Sequence, residues 1–189
     1  RTANQLSPST TVVVNAKFVL GGYNQRVGAL ASSSTGTVEL GSAILDVGGN
    51  NASTQFSGSV TGTGGLVKRG TGTLSLTGNN TYTGSTSINS GSISLGSGGA
   101  ASMLASSAIQ LGASTSLIFN TSTNLSVADG LISGSGQLVQ RGSGNLTFNG
   151  ANSYTGGTLL ENGTVLLSAN AAVSSALGSG SVQVTGNTT

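Results

Sequence analysis

Only ten side chains carry charge at neutral pH: Arg1, Lys17, Arg26, Lys68, Arg69 and Arg141 against Glu39, Asp46, Asp129 and Glu161, in a chain of 189 residues. There is no His and no Cys, so Ser/His/Asp and Cys/His triads, thiol redox centres and the usual nitrogen or sulfur ligands of zinc, copper and iron cannot be assembled. Carboxylate chemistry is what remains. Acid–base cleavage of a polysaccharide needs two carboxyls roughly 5 to 9.5 Å apart, and a pair such as Glu39 and Asp46 would have to meet across adjacent strands to supply it. The four acids are scattered and match no calcium loop, so no catalytic, metal or cofactor residue is assigned and the expected chain is not an enzyme.

The cations carry as little. A pI near 9.4 reflects a net charge of only +2, the basic residues are dispersed apart from Lys68-Arg69, and aromatics make up 4% of the chain. Nucleic acid, which wants basic patches interleaved with stacking rings, is not an expected partner. The longest apolar runs, Val12-Val13-Val14 and Phe18-Val19-Leu20, are sized for strands rather than for a membrane helix. Arg1 stands first and no basic-then-apolar signal segment follows it, so the sequence reads as a mature or excised piece.

Elements must therefore be sought in a background of small polar residues. Gly, Ser, Thr and Asn make 104 of the 189 positions, while Leu, Ile, Val and Phe still supply 46, above the roughly 20% floor below which a core fails to form. Residues 62–95 align without gaps on 134–167 at an offset of 72, with 16 of 34 positions identical. Apolar character persists where identity does not: Leu76 matches Phe148, Ile88 matches Leu160 and Ile93 matches Val165. Apolar residues recur at period two in Leu74-Ser75-Leu76, Ile93-Ser94-Leu95, Ile109-Gln110-Leu111, Leu125-Ser126-Val127 and Val182-Gln183-Val184, which is the strand pattern. Gly, Asn and Ser bound each burst, as turns require. The stretch Ala100–Ala108 reads as a loop, with a short helix as its alternative.

About nine bursts fit in the offset, predicting a parallel β-solenoid with three short strands per coil, coils of about 24 residues and about eight rungs. At roughly 4.8 Å per rung the coil would extend on the order of 40 Å. A sandwich or an antiparallel barrel suits the invariant spacing less well. Stacking places like residues on like, which favours buried aliphatics and neutral outer ladders and disfavours charge.

The run Gly-x-Gly-x-Leu-x-x-x-Gly-x-Gly-x-Leu, followed by Gly78-Asn79-Asn80-Thr81-Tyr82-Thr83-Gly84 and again by Gly150-Ala151-Asn152-Ser153-Tyr154-Thr155-Gly156, resembles the passenger-associated transport repeat of bacterial autotransporters. The resemblance covers both copies, and Leu20–Gln25 and Gly36–Gly58 are similar to the same passengers. It implies an all-β, right-handed parallel β-helix, exported across the outer membrane and presented outside the cell by a C-terminal barrel that this chain does not include. The expected structural motif residues are Gly62, Gly64, Leu66, Gly70, Gly72, Leu74, Asn80, Tyr82 and Gly84, with Gly134, Gly136, Leu138, Gly142, Gly144, Leu146, Asn152, Tyr154 and Gly156 in the second copy. The glycines are turn formers, since no helix pattern or Gly-Lys-Ser/Thr ending makes them a phosphate cradle. The tyrosines are read as corner packing against the alternative of sugar stacking, and Arg69 and Arg141 as solvated side chains beside a turn.

The function expected is a structural and adhesive surface module, a stalk segment that supports export, folding and presentation of a passenger. A self-assembling filament subunit is the main alternative and a β-helix polysaccharide enzyme a lesser one. Ice binding, suggested by Thr61-Gly-Thr63, Thr71-Gly-Thr73 and Thr81-Tyr-Thr83, is weakened where the second copy carries Ser133, Ser135, Ser143 and Asn145 instead. Open strand edges at both ends, with Pro8 the one proline, call for partners in flanking rungs of a longer chain or in a second copy, and host or bacterial surface ligands are the further partners expected.

Overall fold

A computed structural model describes residues 3–32, 35–99, 104–168 and 175–186. The described residues form twenty-two strands of two to four residues and no helix. Such short strands follow from the glycine and asparagine punctuation, which turns the chain before a fifth residue can be added. The described part of the Ala100–Ala108 stretch, 104–108, is not helical, and 100–103 lies outside the described residues.

All pairings between strands are parallel, because the chain travels round a coil and returns one layer further on. One sheet is seven strands deep and stacks, in chain order, Gln25–Val27, Leu45–Val47, Leu66–Lys68, Thr86–Ile88, Ile109–Leu111, Ile132–Gly134 and Ser153–Tyr154. A second, equally deep, stacks Thr54–Phe56, Thr73–Leu76, Ser92–Leu95, Ser116–Phe119, Gln137–Gln140, Thr158–Leu160 and Val182–Val184. Two three-stranded sheets complete the remaining side, one from Lys17–Val19, Thr37–Glu39 and Ser59–Thr61, the other from Leu125–Val127, Asn145–Phe148 and Thr164–Leu167. The strands Thr11–Val13 and Ala29–Ala31 pair with each other, and a bridge from Ser32 to Phe56 joins them to the second sheet. The molecule is a β-solenoid.

The core runs along its axis in columns of like residues. Leu74, Ile93, Leu117 and Leu138 succeed one another in register, as do Leu76, Leu95 and Phe119, and all are 0–1% exposed. Alternation sends Ser75 and Ser94 to the opposite side of the strand. The same outer column then becomes apolar with Ile118 and Val139, which are buried yet stand apart from the axial core.

The coil is less regular than its sequence offset suggests. Leu74 pairs with Ile93 after 19 residues and Ile93 with Leu117 after 24. The 72-residue offset is therefore not three coils of 24. Leu66 lies in the first sheet and Leu138 in the second; Leu74 lies in the second and Leu146 in a three-stranded sheet. The repeat spans three turns and one further side, so its second copy is displaced by one side about the axis.

Candidate functional site

Each copy of the repeat stacks on itself. In the first, Leu66 registers with Thr86 and Leu74 with Ile93; in the second, Leu138 registers with Thr158 and Leu146 with Val165. Steps of 20 and 19 residues thus place the first half of a copy under its second half, forming a two-layer unit. Gly84 lies on Gly64 and Gly156 on Gly136, so closely that a β-carbon on the upper glycine would overlap the carbonyl oxygen below. That approach is the reason for glycine at those positions. At Gly62 and Gly134 the reason is conformational, with φ of 115° and 102°, a region where L side chains are strained. Gly70, Gly72, Gly142 and Gly144 likewise pack directly on the backbone of the previous layer.

The polar motif residues are buried and locked. Asn80 Oδ1 accepts the Val60 amide at 3.0 Å and Asn152 Oδ1 accepts the Ile132 amide at 2.8 Å, while their Nδ2 groups donate to Gly78 and Gly150 carbonyls. Each asparagine thus replaces a backbone acceptor where the chain leaves the ladder. Tyr82 and Tyr154 are fully buried, and each hydroxyl is 2.7 Å from a threonine Oγ1 four residues on, Thr86 and Thr158. Burial raises both phenols against the opposing hydrogen bond, Tyr154 to about 12 and Tyr82 beyond that. Neither ring presents a face to solvent.

Lys68 and Gln140, at equivalent positions, point inward at a corner and are 1% exposed. Lys68 Nζ donates to the carbonyls of Arg69, Gly70 and Ser90 at 2.6, 2.9 and 3.3 Å. Gln140 Nε2 donates to Gly142 and Gly144 at 3.0 and 2.7 Å, and its Oε1 is buried without a partner. Burial pushes Lys68 down to about 8. A lysine in a polar repeat reads as a surface residue, and the one cue to this role in the sequence is the alignment of Lys68 with a neutral glutamine at the 72-residue offset.

Most charged groups on the outside of the described residues pair across layers. Arg26 Nε and Arg69 Nε both donate to Asp46 Oδ2, at 3.1 and 2.7 Å, Lys17 pairs with Glu39, and Arg141 grips Glu161 through Nε and Nη2. The Arg141 hydrogen bond, ahead of desolvation, holds Glu161 below its ordinary range. Glu39 and Asp46 lie in different sheets, each engaged by its own cation. Asp129 lies against Gly150. The arrangement joins layers; it does not bring two carboxyls together. Thr61 and Thr73 fall in different sheets and Thr81-Tyr82-Thr83 lies outside any strand, so the Thr-x-Thr sets do not align into one ladder.

A stack of short parallel strands, clasped at intervals by self-stacking two-layer units, defines the class: a repeat-built β-solenoid. The passenger-associated-transport-repeat family matches residues 66–95 and 138–167, the same two units. Over 159 residues the chain is 41% identical to the adhesin BmaC autotransporter of Brucella suis biovar 1 (strain 1330), an alignment that covers 68% of the chain and 5% of that protein. It is 37% identical over 143 residues to the uncharacterized protein YuaQ of Escherichia coli (strain K12), covering 71% of the chain and 10% of that protein. The chain thus spans a tenth or less of either relative. No solved structure gives a significant match. The chain belongs to the autotransporter passengers that carry passenger-associated transport repeats, a family of secreted or cell-surface proteins.

Proposed function

We propose that this chain is a non-enzymatic adhesive surface module, a β-helical stalk segment that supports the export, folding and outer presentation of a longer passenger. The observation that carries this reading is the self-stacking repeat. Each copy pairs its own two layers in register, so a segment emerging from a membrane has a local partner for its strands before distant sequence follows. Similarity to a protein named as an adhesin supports the adhesive half, as does an outer surface of Ser, Thr, Gln and Asn whose carboxylates are mostly tied to cations.

Beads coated with the full chain should attach to epithelial cells or extracellular matrix above an uncoated control; equal attachment would remove the adhesive half. In a parent passenger, replacing Leu138 and Tyr154 together should lower the amount exported, and unchanged export would remove the stalk half.

End-to-end stacking is a second reading, favoured by Val13 and Val19 at one end and Leu167, Val182 and Val184 at the other, all 50–60% exposed on the first or last described layers. Such a contact is head-to-tail and propagates unless rotation closes it. A second copy or a flanking rung of a longer chain would cover these strands equally well. Sedimentation over a concentration series tests the first: mass that rises with concentration supports it, and a constant monomer removes it.

A further inference from the structure

Two asparagines in the chain precede a glycine, in Asn149-Gly150 and Asn162-Gly163. This dipeptide is reactive because a glycine amide nitrogen, unshielded by a β-carbon, can attack the side-chain carbonyl carbon of the residue before it and close a five-membered ring. The fold treats the two differently. The amides of Glu161 and Asn162 share the Gln140 carbonyl, at 2.8 and 3.3 Å. The next amide turns to its own neighbour. Gly163 N donates to Asn162 Oδ1 at 2.8 Å, on the exposed outside of the turn between Thr158–Leu160 and Thr164–Leu167. Cγ, one bond beyond that oxygen, is thereby kept beside the nitrogen, and rotation about Cβ–Cγ, a broad torsion, presents the carbon in place of the oxygen.

Asn149-Gly150 is set otherwise. Gly150 is buried, and Asp129 lies over it so closely that a β-carbon there would stand 2.4 Å from the carboxylate Oδ1. A negative charge at that place opposes loss of the amide proton. The carboxylate next to Asn162 is that of Glu161, and Arg141 neutralises it. The first copy of the repeat carries the same turn without the reactive amide: Ser90 stands where Asn162 does, and Gly91 has a φ of 66° against 70° for Gly163.

We propose that Asn162 is a site of spontaneous deamidation, a modification built into the second copy and absent from the first. The Gly163 nitrogen gives its proton to base and attacks Asn162 Cγ. A new N–C bond forms, the bond from Cγ to the side-chain nitrogen breaks, and that nitrogen takes a proton and leaves as ammonia. Water then opens the succinimide at either carbonyl, giving aspartate or, with the main chain rerouted through the former side chain, isoaspartate. The sum is one water in and one ammonia out. Either product adds a negative charge beside Glu161. Isoaspartate also lengthens the main chain by one atom, in a turn where Gly163 stacks on the Gly142 and Gly144 carbonyls with no room for a β-carbon, so it loosens the second copy.

The test incubates the full chain in heavy-oxygen water at about pH 8 and follows each asparagine by peptide mass spectrometry with electron-transfer fragmentation, which separates aspartate from isoaspartate. In the folded chain Asn162 should convert at least about tenfold faster than Asn149, and faster still as pH rises. In urea the two sites should converge. Ser90→Asn should install a second reactive site. Asn162→Ser should abolish the conversion and, aged beside the parent, keep the amide-exchange protection of Thr164–Leu167 that the parent loses. No conversion at Asn162, equal rates at the two sites in the folded chain, a preference that persists in urea, or a Ser90→Asn chain that gains no site overturns the assignment. Equal protection in the aged parent and in aged Asn162→Ser overturns the loosening.

Discussion

Residues 66–95 and 138–167 are two copies of one unit set on different sides of the same coil. What they share is internal: the 20- and 19-residue registers, the buried Tyr–Thr hydroxyl pair and the glycine stacked on glycine. What differs includes the charged contacts. Arg69 reaches back one layer to Asp46, while Arg141 reaches forward one layer to Glu161. The aligned positions explain it, since Ile118 stands where Asp46 would recur and Asn89 where Glu161 would. Leu95 is fully buried in mid-stack, whereas its counterpart Leu167 is 56% exposed on the last strand of its sheet. The unit carries its own packing instructions and takes its neighbours as it finds them, which is why it works on either side of the coil.

The strongest way to break this equivalence is a charge in its core. Leu74→Asp and Leu146→Asp each bury an unpaired carboxylate at a site 1% exposed, at a cost on the order of 4 kcal/mol or more in urea unfolding. Leu74→Asp should be the worse, because its sheet continues for five further strands on one side and one on the other, while the strand of Leu146 has one neighbour on each side. If either variant unfolds like the parent, that leucine does not face the axis.

Lys68 and Gln140 offer the next test. The folded-state value of Lys68, about 8, lies below its ordinary 10.5, so between these values the unfolded chain binds more protons and stability rises with pH. It is least below pH 8. The three carbonyls favour the charged ammonium and hold the gain below the full shift, on the order of 2 kcal/mol. Lys68→Gln should abolish the rise between pH 8 and 10, and Gln140→Lys should install a second one. A flat profile in the parent would mean that the carbonyls fully compensate burial.

A finer contrast lies in the tyrosines. Thr86 Oγ1 also bonds Ser106 Oγ at 3.0 Å, so Tyr82→Phe leaves it a partner. Tyr154→Phe leaves the buried Thr158 hydroxyl without a side-chain partner among the described residues, at about 1 kcal/mol more. Equal losses would show that Ser106 contributes nothing.

Much of this was legible in the residues. Period-two bursts such as Ile93-Ser94-Leu95 and Ile109-Gln110-Leu111 are strands, and the recurrent Asn and Gly do turn the chain, because both properties are local. The displacement of the second copy was not legible, since a sequence offset records residues and not angle: coils of 19 to 24 residues spread three turns and a third over the length that three even coils of 24 would fill. The ion pairs were hidden for the same reason. Arg69 is 23 residues from Asp46 and Arg141 is 20 from Glu161, so only the register shows that these side chains lie on adjacent layers. Lys68 was missed because chemistry at a corner, three carbonyls converging, overrode the ordinary preference of lysine for water.

The smallest expected effect separates the arginines. Both ion pairs are half-exposed, so Arg69→Gln and Arg141→Gln should each cost about 1 kcal/mol or less. They should not be alike in kind. Removing Arg69 leaves Asp46 bonded to Arg26, whereas removing Arg141 takes both hydrogen bonds from Glu161 at once. The carboxyl resonance of Glu161, followed by NMR titration, should therefore move up towards the ordinary glutamate range in Arg141→Gln. The sign for stability follows: a carboxyl held low in the folded state adds stability above its unfolded value and gives it back as pH falls through the folded one. The parent's small advantage over Arg141→Gln should accordingly fade on acidification and, being half-exposed, in high salt. A Glu161 titration that is identical in both chains would show that Arg141 merely lies near it, and would leave the two layers of the second copy without a charged clasp.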